Sequence, residues 1–470
     1  MLATPPGTTT ELWPPLGLLY IAASVRSRRD DETVVIDAFC ENLTENELVS
    51  RIVKEEPDMV GLNCSTHTFL DAIATLSEVK EKLPDTVLAM GGYHATFAAE
   101  YILREYPCVD FIIKGEAEHA FVSLLECIER GEKPSMVEGI SFLNSGKYMS
   151  NPLTLIQNLD ALPFPARDLA HAVEYGYFHE EIPLTFGKFT TINTSRGCPF
   201  NCTYCSCAAF SARTWRRRSA ENVVDELEEL YKEGFEQCVV VDDNFTFDRK
   251  RVEKICRLIR ERGIHMQLYC EGRVHNASYS LMKTMKRAGF NVMYFGAESA
   301  SPHVLKYYNK TITPEQTKRA VENAKKAGMI VITSFIFGAP VESADDILRT
   351  VRFIEQIRPH AIQINILDCL LGTPIWDELV ESGVVADGDW KRNHRIYEYP
   401  VSGFSREELE RYVNQGYETY ITSWKNAGGL KDLARLMIAN KTARKIVMGN
   451  LFNPHVRERL SKKMRIYEEK

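Results

Sequence analysis

Short apolar, β-branched runs alternate with helical stretches along most of this 470-residue chain, and that alternation commits it to parallel sheets covered by helices. In the first part the runs are Thr33–Asp37, Met59–Cys64, Val87–Gly91 and Phe111–Lys114, with helical patterns such as Thr44–Lys54 and Phe69–Lys82 between them. Only Met1–Thr4 precedes Pro5-Pro6-Gly7, so either the first strand is very short or the chain starts slightly late in it. Ligands of such open sheets sit at the carboxyl ends of the strands.

Residues 134–188 read as a connector: a hairpin around Asn144-Ser145-Gly146, then Leu162-Pro163-Phe164-Pro165, whose prolines block helix and sheet. From Phe189 the alternation resumes for six rounds, with strands at Phe189–Thr194, Gln237–Val241, Met266–Cys270, Val292–Gly296, Val331–Phe337 and Ala361–Ile366. Six βα units predict a partial (β/α)6, TIM-like barrel whose site faces the carboxyl ends of its strands. Residues 379–470 read as mainly helical. The class is α/β, in more than one domain, because the chain is too long for a single core.

Hydrophobic residues make up 44% and charged residues 26%, the balance of an ordinary globular chain. No apolar run reaches membrane-spanning length and no signal-peptide pattern opens the chain, so no membrane span is expected and the cytoplasm is the expected location. A net charge of −7 argues against nucleic acid as a partner. Residues 431–470 depart from that balance, with 11 Lys/Arg against 4 Asp/Glu. A solvated helical face is the simplest reading of this tail; docking of a partner or acidic substrate is the other.

Twelve cysteines without a signal peptide argue against a disulfide scaffold. Cys64, Cys127, Cys256 and Cys369 lie in apolar stretches and read as small buried hydrophobes. The segment Arg196-Gly197-Cys198-Pro199-Phe200-Asn201-Cys202-Thr203-Tyr204-Cys205 is different. Three thiolates on one loop can hold three corners of an iron–sulfur cubane and leave the fourth iron open to a small molecule. Zinc is the rival, since Cys207 could supply a fourth ligand. A redox thiol pair explains neither the third cysteine nor the flanking residues. Polar groups also gather at the strand ends: Asp243 and Asn244, Arg273, Glu298 and Ser299, and the turn Gly338-Ala339-Pro340. The bland alternatives are that a carboxylate here caps the next helix and that Gly338-Ala339-Pro340 only turns the chain; for Glu298 and Arg273 a functional role is the preferred reading.

The C-x-x-x-C-x-x-C spacing at the opening of a βα barrel resembles the radical S-adenosylmethionine superfamily. The resemblance implies that Cys198, Cys202 and Cys205 hold a 4Fe–4S cluster whose open iron is chelated by S-adenosylmethionine. One electron then cleaves that molecule to a 5′-deoxyadenosyl radical, and the protein orients the cofactors. By the same resemblance Arg273 meets the carboxylate of S-adenosylmethionine and Asp243 or Glu298 its ammonium or ribose, with Asn244 and Ser299 beside them. No catalytic side chain is assigned.

The turns Pro14-Pro15-Leu16-Gly17, Gly91-Gly92-Tyr93-His94 and Lys114-Gly115-Glu116 resemble the cobalamin-binding domain that precedes many such barrels. The implied cobalamin contacts are Pro15, Leu16, Gly17, Ser65, Thr66, Gly91, Gly92, His94 and Glu116. Gly91-Gly92 could also be only a tight turn. Cobalamin mutases carry Asp-x-His-x-x-Gly, but Asp37-Ala38-Phe39-Cys40-Glu41-Asn42 lacks the histidine. Cobalamin bound without a histidine ligand is therefore implied. Arg213, Arg216, Arg217 and Arg218 read as a solvated helix flank, or as contacts to the cobalamin tail.

Together these motifs resemble the cobalamin-dependent radical S-adenosylmethionine methyltransferases over roughly residues 1–370. The implied division is a Rossmann-like cobalamin-binding domain at 1–133, a connector at 134–188, a radical S-adenosylmethionine barrel at 189–378 and a helical C-terminal domain at 379–470. The implied activity is methyl transfer from methylcobalamin to an unactivated carbon, with an external electron donor. One subgroup methylates a protein side chain, such as a glutamine or arginine of methyl-coenzyme M reductase, and a protein or peptide substrate is compatible with this chain. A cyclase or carbon–carbon coupling enzyme without methyl transfer is the first alternative; a non-catalytic cobalamin-binding sensor is the second. Methylthio transfer would bring a second cysteine cluster near the amino terminus, and Cys40, Cys64 and Cys108 lack its motifs.

Overall fold

The computed structural model describes residues 1–7, 12–170, 175–176, 178–179, 182–183, 187–386, 388–391, 398–399, 401–425, 431, 434–438, 440 and 443–444. Most of the basic tail, and with it the expected solvated face, lies outside the described residues.

Five short strands form the first parallel sheet: β1 (Leu2–Thr4), β2 (Val35–Asp37), β3 (Met59–Asn63), β4 (Val87–Gly91) and β5 (Phe111–Ile113). Their order, β2-β1-β3-β4-β5, reverses direction between β1 and β3, and a reversal of this kind opens a crevice for ligands. The very short first strand is thus a central one. The hairpin expected in the connector is β6 (Ile140–Asn144) and β7 (Lys147–Ser150), and β6 pairs antiparallel with β5, so the sheet runs on through Ser150. Helices α1 (Leu16–Arg28) and α6 (Ala117–Glu129) cover one face. The other is covered by α2 (Glu45–Glu55), α3 (Phe69–Lys82), α4 (Tyr93–Phe97) and α5 (Ala99–Glu105). Helix α2 starts with a capping box between Thr44 and Glu47, a device that satisfies two of its orphan N–H groups.

A two-residue pair, β8 (Phe178–His179) and β9 (Ile182–Pro183), leads to the second sheet. Its elements are β10 (Phe189–Ile192), β11 (Ser195–Arg196), α7 (Cys207–Phe210), β12 (Arg216–Arg217), α8 (Ala220–Lys232), β13 (Gln237–Val240), α9 (Arg249–Glu261) and β14 (Gln267–Gly272). Next come α10 (Tyr279–Arg287), β15 (Phe290–Glu298), α11 (Pro302–Tyr307), α12 (Pro314–Lys326), β16 (Ile330–Phe337), α13 (Ala344–Ile357), β17 (Ala361–Ile366), α14 (Pro374–Glu381) and α15 (Arg406–Lys425). Strands β10-β13-β14-β15-β16-β17 are parallel and adjacent in chain order, the six-stranded partial barrel of the sequence pattern.

The period-two alternation of these strands splits their side chains into two sets. Ile192, Cys238, Leu268, Met293, Val331 and Ile362 join the large core. Phe189, Val239, Tyr269, Val292, Ile330 and Ile332 face one another in a separate cluster, which Leu436 and Ala443 complete. Asn440 is fully buried there and donates to the carbonyls of Asn291 and Gly328, so the C-terminal segment closes that cluster. Cys64, Cys127, Cys256 and Cys369 are buried, as their apolar surroundings predict.

The two α/β units are clasped by buried charge. Strands β11 and β12 pair antiparallel with Arg196 opposite Arg216, which sets two cations side by side. Glu116 and Glu118, at the start of α6, meet them. Glu116 takes both ends of the Arg216 guanidinium at 2.6 and 2.8 Å, and Arg196 reaches Glu118 at 2.5 Å. Burial alone would raise the Glu116 carboxyl, but Arg216 and Arg196 outweigh it and hold the group below the usual carboxylate range. Arg218 is buried against Glu226, while Arg213 and Arg217 are exposed. The arginine run is therefore not uniformly a solvated flank: two of its members are internal ion-pair partners.

Removing one member of a buried pair strands the other, so Glu116→Ala is expected to lower stability by about 3–5 kcal/mol in denaturant unfolding. Glu116→Leu with Arg216→Met should cost less than that single change, because no charge is left unpaired. A loss no larger than that of Glu100→Ala, which breaks the exposed Glu100–Arg104 pair, would place the clasp energy elsewhere. Behind β16, burial pushes the Glu342 carboxyl up to about 8, although the Gly338 and Ala339 N–H groups donate to it. The folded chain thus keeps a proton there that the unfolded chain releases near its ordinary value of 4.5. Stability should fall as pH rises from about 4.5 to about 8. Glu342→Gln, which keeps an acceptor for both N–H groups, should flatten that part of the pH–stability curve, a difference on the order of 5 kcal/mol.

Candidate functional site

The three cysteines lie on the loop bracketed by β11 and β12. Gly197 opens it at φ +83°, and a Cβ there would stand 2.2 Å from the Thr214 carbonyl oxygen, so only glycine fits. Its N–H donates to Asp243 Oδ2 at 2.9 Å, which ties the loop to the end of β13. The far side is tied to α11 and α14: Thr203 N–H donates to the Tyr308 carbonyl and Ile375 N–H to the Thr203 carbonyl. Cys202 is buried, whereas Cys198 and Cys205 are half-buried. A hydrogen bond from the Cys207 thiol pulls Cys205 down to about 7, and burial pushes Cys198 up. Among the described residues no three His, Cys, Asp or Glu converge on a point that could hold one ion. A cubane spreads its thiolates over separate irons, so this donor set suits a cluster better than zinc.

Around the loop stand the strand-end residues. Arg273 is buried, stacks on Phe200 with 3.8 Å to the ring centroid, and its Nε has no partner. Asn244 is fully buried with neither end of its amide hydrogen-bonded, and the Thr246 hydroxyl is likewise unpartnered. Buried polar atoms normally find partners, so these orphans mark a place for a polar ligand. Glu298 sits at φ +62°, a strained conformation for a side-chain-bearing residue. Its Oε1 accepts from Lys310 Nζ at 2.6 Å and from the Tyr204 hydroxyl at 3.0 Å. Ser299 turns instead toward α13, with its hydroxyl 3.2 Å from Thr350 Oγ1.

The carboxyl ends of β3, β4 and β5, Leu2 of β1 and the cysteine loop line a cavity of about 420 Å³, within the roughly 300–1,000 Å³ of small-molecule sites. Pro15, Leu16, Gly17, Gly91, Gly92 and Glu116 line it from the first sheet, and Gly197, Cys207 and Asp243 from the barrel. Gly92 has φ +100° and would bring a Cβ within 2.5 Å of Asn63 Oδ1 and the Cys64 carbonyl, so the turn itself demands glycine. No histidine is among the described lining residues. Tyr93 stacks on Phe210 across the junction, with ring centroids 4.0 Å apart.

Three of the expected cobalamin contacts, Ser65, Thr66 and His94, are not among the described lining residues, and neither are Cys198, Cys202, Cys205, Asn244, Arg273, Glu298 or Ser299. Ser65 and Thr66 form the short turn before α3, with the Ser65 and Thr68 hydroxyls 3.0 Å apart. His94 is buried between Phe69 and Trp390, and burial holds its imidazole down to about 4. Its Nδ1 lies 3.0 Å from Thr66 Oγ1. Lys310 and Phe210 have no signal in the sequence, while Arg196, Tyr204 and Glu118 stand in their motifs without an assigned partner. Lys310 follows a short helix in a polar stretch, where a lysine looks like ordinary surface.

A Radical SAM superfamily model matches residues 192–354, and a B12 binding domain model matches residues 7–125. An uncharacterized methyltransferase of Pyrococcus horikoshii is 33% identical over 410 residues, covering 87% of each chain. An anaerobic magnesium-protoporphyrin IX monomethyl ester cyclase of Rubrivivax gelatinosus is 30% identical over 74% of this chain and 63% of its own length. In fold the chain is similar to the cobalamin-dependent S-adenosylmethionine radical enzyme OxsB, solved with aqua-cobalamin and S-adenosylmethionine: TM-score 0.73, 16% identity, 99% of this chain and 75% of that one. The radical S-adenosylmethionine methyltransferase TsrM of Kitasatospora setae, solved with cobalamin and a [4Fe-4S] cluster, gives a TM-score of 0.72 at 16% identity, with 89% and 90% covered. The cofactors that go with the two matched domains are a 4Fe–4S cluster, S-adenosylmethionine and cobalamin, and the orphaned polar atoms, thiol donors and cavity fit them. By sequence and fold together, the chain belongs to the cobalamin-dependent radical S-adenosylmethionine methyltransferases.

Proposed function

We propose that this enzyme transfers a methyl group from methylcobalamin to an unactivated carbon of a protein side chain, such as a glutamine or arginine of methyl-coenzyme M reductase. The observation that carries methyl transfer is the cavity, which joins the cobalamin-type crevice directly to the cysteine loop. When bound, the cluster with S-adenosylmethionine supplies a hydrogen-abstracting radical, and cobalamin supplies the methyl group.

Cys198, Cys202 and Cys205 would hold the cluster. Arg273, Asn244, Asp243, Glu298 and Ser299 are the proposed contacts to S-adenosylmethionine. Of these, Arg273 and Asn244 are supported by buried polar atoms without partners, Arg273 Nε and both ends of the Asn244 amide. Pro15, Leu16, Gly17, Gly91, Gly92 and Glu116 would cradle cobalamin, with Ser65, Thr66 and His94 shaping the neighbouring turn. Leu2, Leu62, Ala89, Met90 and Phe121 give that cradle an apolar wall. We divide the labour as cobalamin binding in 1–133, a connector in 134–188, cluster and S-adenosylmethionine in 189–378, and the helical remainder in 379–470. The basic composition of residues 431–470 supports an acidic surface around the target side chain. An external donor supplies the electron.

The cyclase of Rubrivivax gelatinosus favours a second reading, radical chemistry on carbon without methyl transfer. An anaerobic assay separates the two. Reconstituted protein with hydroxocobalamin, S-adenosylmethionine and a strong reductant should form 5′-deoxyadenosine, S-adenosylhomocysteine and methylcobalamin, measured by mass spectrometry. Cys202→Ala should reduce deoxyadenosine to background. Deoxyadenosine without methylcobalamin would move the second reading ahead. Peptides presenting glutamine and arginine should gain one methyl group; their recovery unmodified while methylcobalamin accumulates would remove the protein acceptor.

A further inference from the structure

The buried guanidinium of Arg273 is 7% exposed, and among the described residues no carboxylate forms an ion pair with it. A buried cation is costly unless negative charge answers it, and the stack on Phe200 offsets only part of that cost. One Nη donates to Thr311 Oγ1 at 3.3 Å. The other donates to the sulfur of Cys202 at 3.6 Å. That sulfur is the most deeply buried of the three in the loop.

We infer that Arg273 is a positioning residue for the cluster itself: its N–H···S bond to Cys202 and its charge raise the cluster's reduction potential. This rests on the reading that Cys198, Cys202 and Cys205 carry a 4Fe–4S cluster. On reduction the cluster gains one electron from an external one-electron reductant, no bond forms or breaks, and the cluster becomes more negative by one charge. A fixed cation at one of its sulfurs stabilises the reduced form more than the oxidised form. Phe200, two residues from Cys198 and two from Cys202, is the platform that keeps the guanidinium in place.

The test is stepwise anaerobic reduction of reconstituted full-length protein without S-adenosylmethionine, followed by electron paramagnetic resonance of the reduced cluster. Iron and sulfide content is matched beforehand, and S-adenosylmethionine affinity is measured separately on the oxidised protein. Arg273→Met should shift the potential to more negative values, Phe200→Leu should shift it the same way by less, and Arg273→Lys should stay near wild type. An unchanged potential in Arg273→Met, with weaker S-adenosylmethionine binding, would assign Arg273 to that ligand alone and overturn the inference. Where Arg273→Met does not load a cluster, Phe200→Leu decides, and an unshifted potential there overturns it. Failure of the wild type to load any cluster would sink the reading of the cysteines instead.

Discussion

Two arginines set side by side on a two-residue ladder, answered by two glutamates at one helix start, fix the relation between the halves of this enzyme. Arg196 and Arg216 frame the loop that carries the cysteines; Glu116 and Glu118 belong to the turn that lines the cavity between the two sheets. Neither half could present its residues to the shared cavity if these four charges were solvated separately. The cost of burying them is accepted because each finds a partner, and in Glu116 the attraction of the arginines exceeds the penalty of burial.

From that clasp the rest of the site follows by short links. Gly197 continues directly from Arg196, and its N–H binds Asp243 at the end of β13. Asp242, one residue earlier, accepts from the Thr194 N–H and the Thr194 and Ser195 hydroxyls. The loop therefore leaves the barrel through a buried carboxylate network and returns through the clasp. Such fully bonded polar networks rigidify their surroundings. A rigid entrance and exit are what a radical enzyme needs, since a misplaced radical attacks its own protein.

The fold was legible because both periodicities are clean. Val87–Gly91 and Ala361–Ile366 were found to the residue, while β15 extends from Phe290 to Glu298 because tertiary pairing with β14 and β16 continues past the apolar run. The cysteine loop was legible because thiol spacing is local. Ion pairing was not, because Glu116 and Arg216 are 100 residues apart and nothing in either neighbourhood announces the other. His94 illustrates the converse: it stands in the right turn, yet packing against Phe69 and Trp390 turns its ring into the core.

Glu298 shows how such packing bears on function. The motif position that the resemblance gives to S-adenosylmethionine is held at positive φ, with one carboxylate oxygen shared by Lys310 and Tyr204. Tyr204 lies between two cysteines of the loop, so this carboxylate is tied to the cysteine loop. Strain at φ +62° persists only where surrounding contacts over-determine it, and here those contacts are an ammonium and a phenol fixed by their own neighbours. A ligand that bonds to Glu298 acts on an oxygen whose partner position is already set. Lys310 and Tyr204 thus fix the Glu298 carboxylate relative to the cysteine loop through contacts within the chain itself.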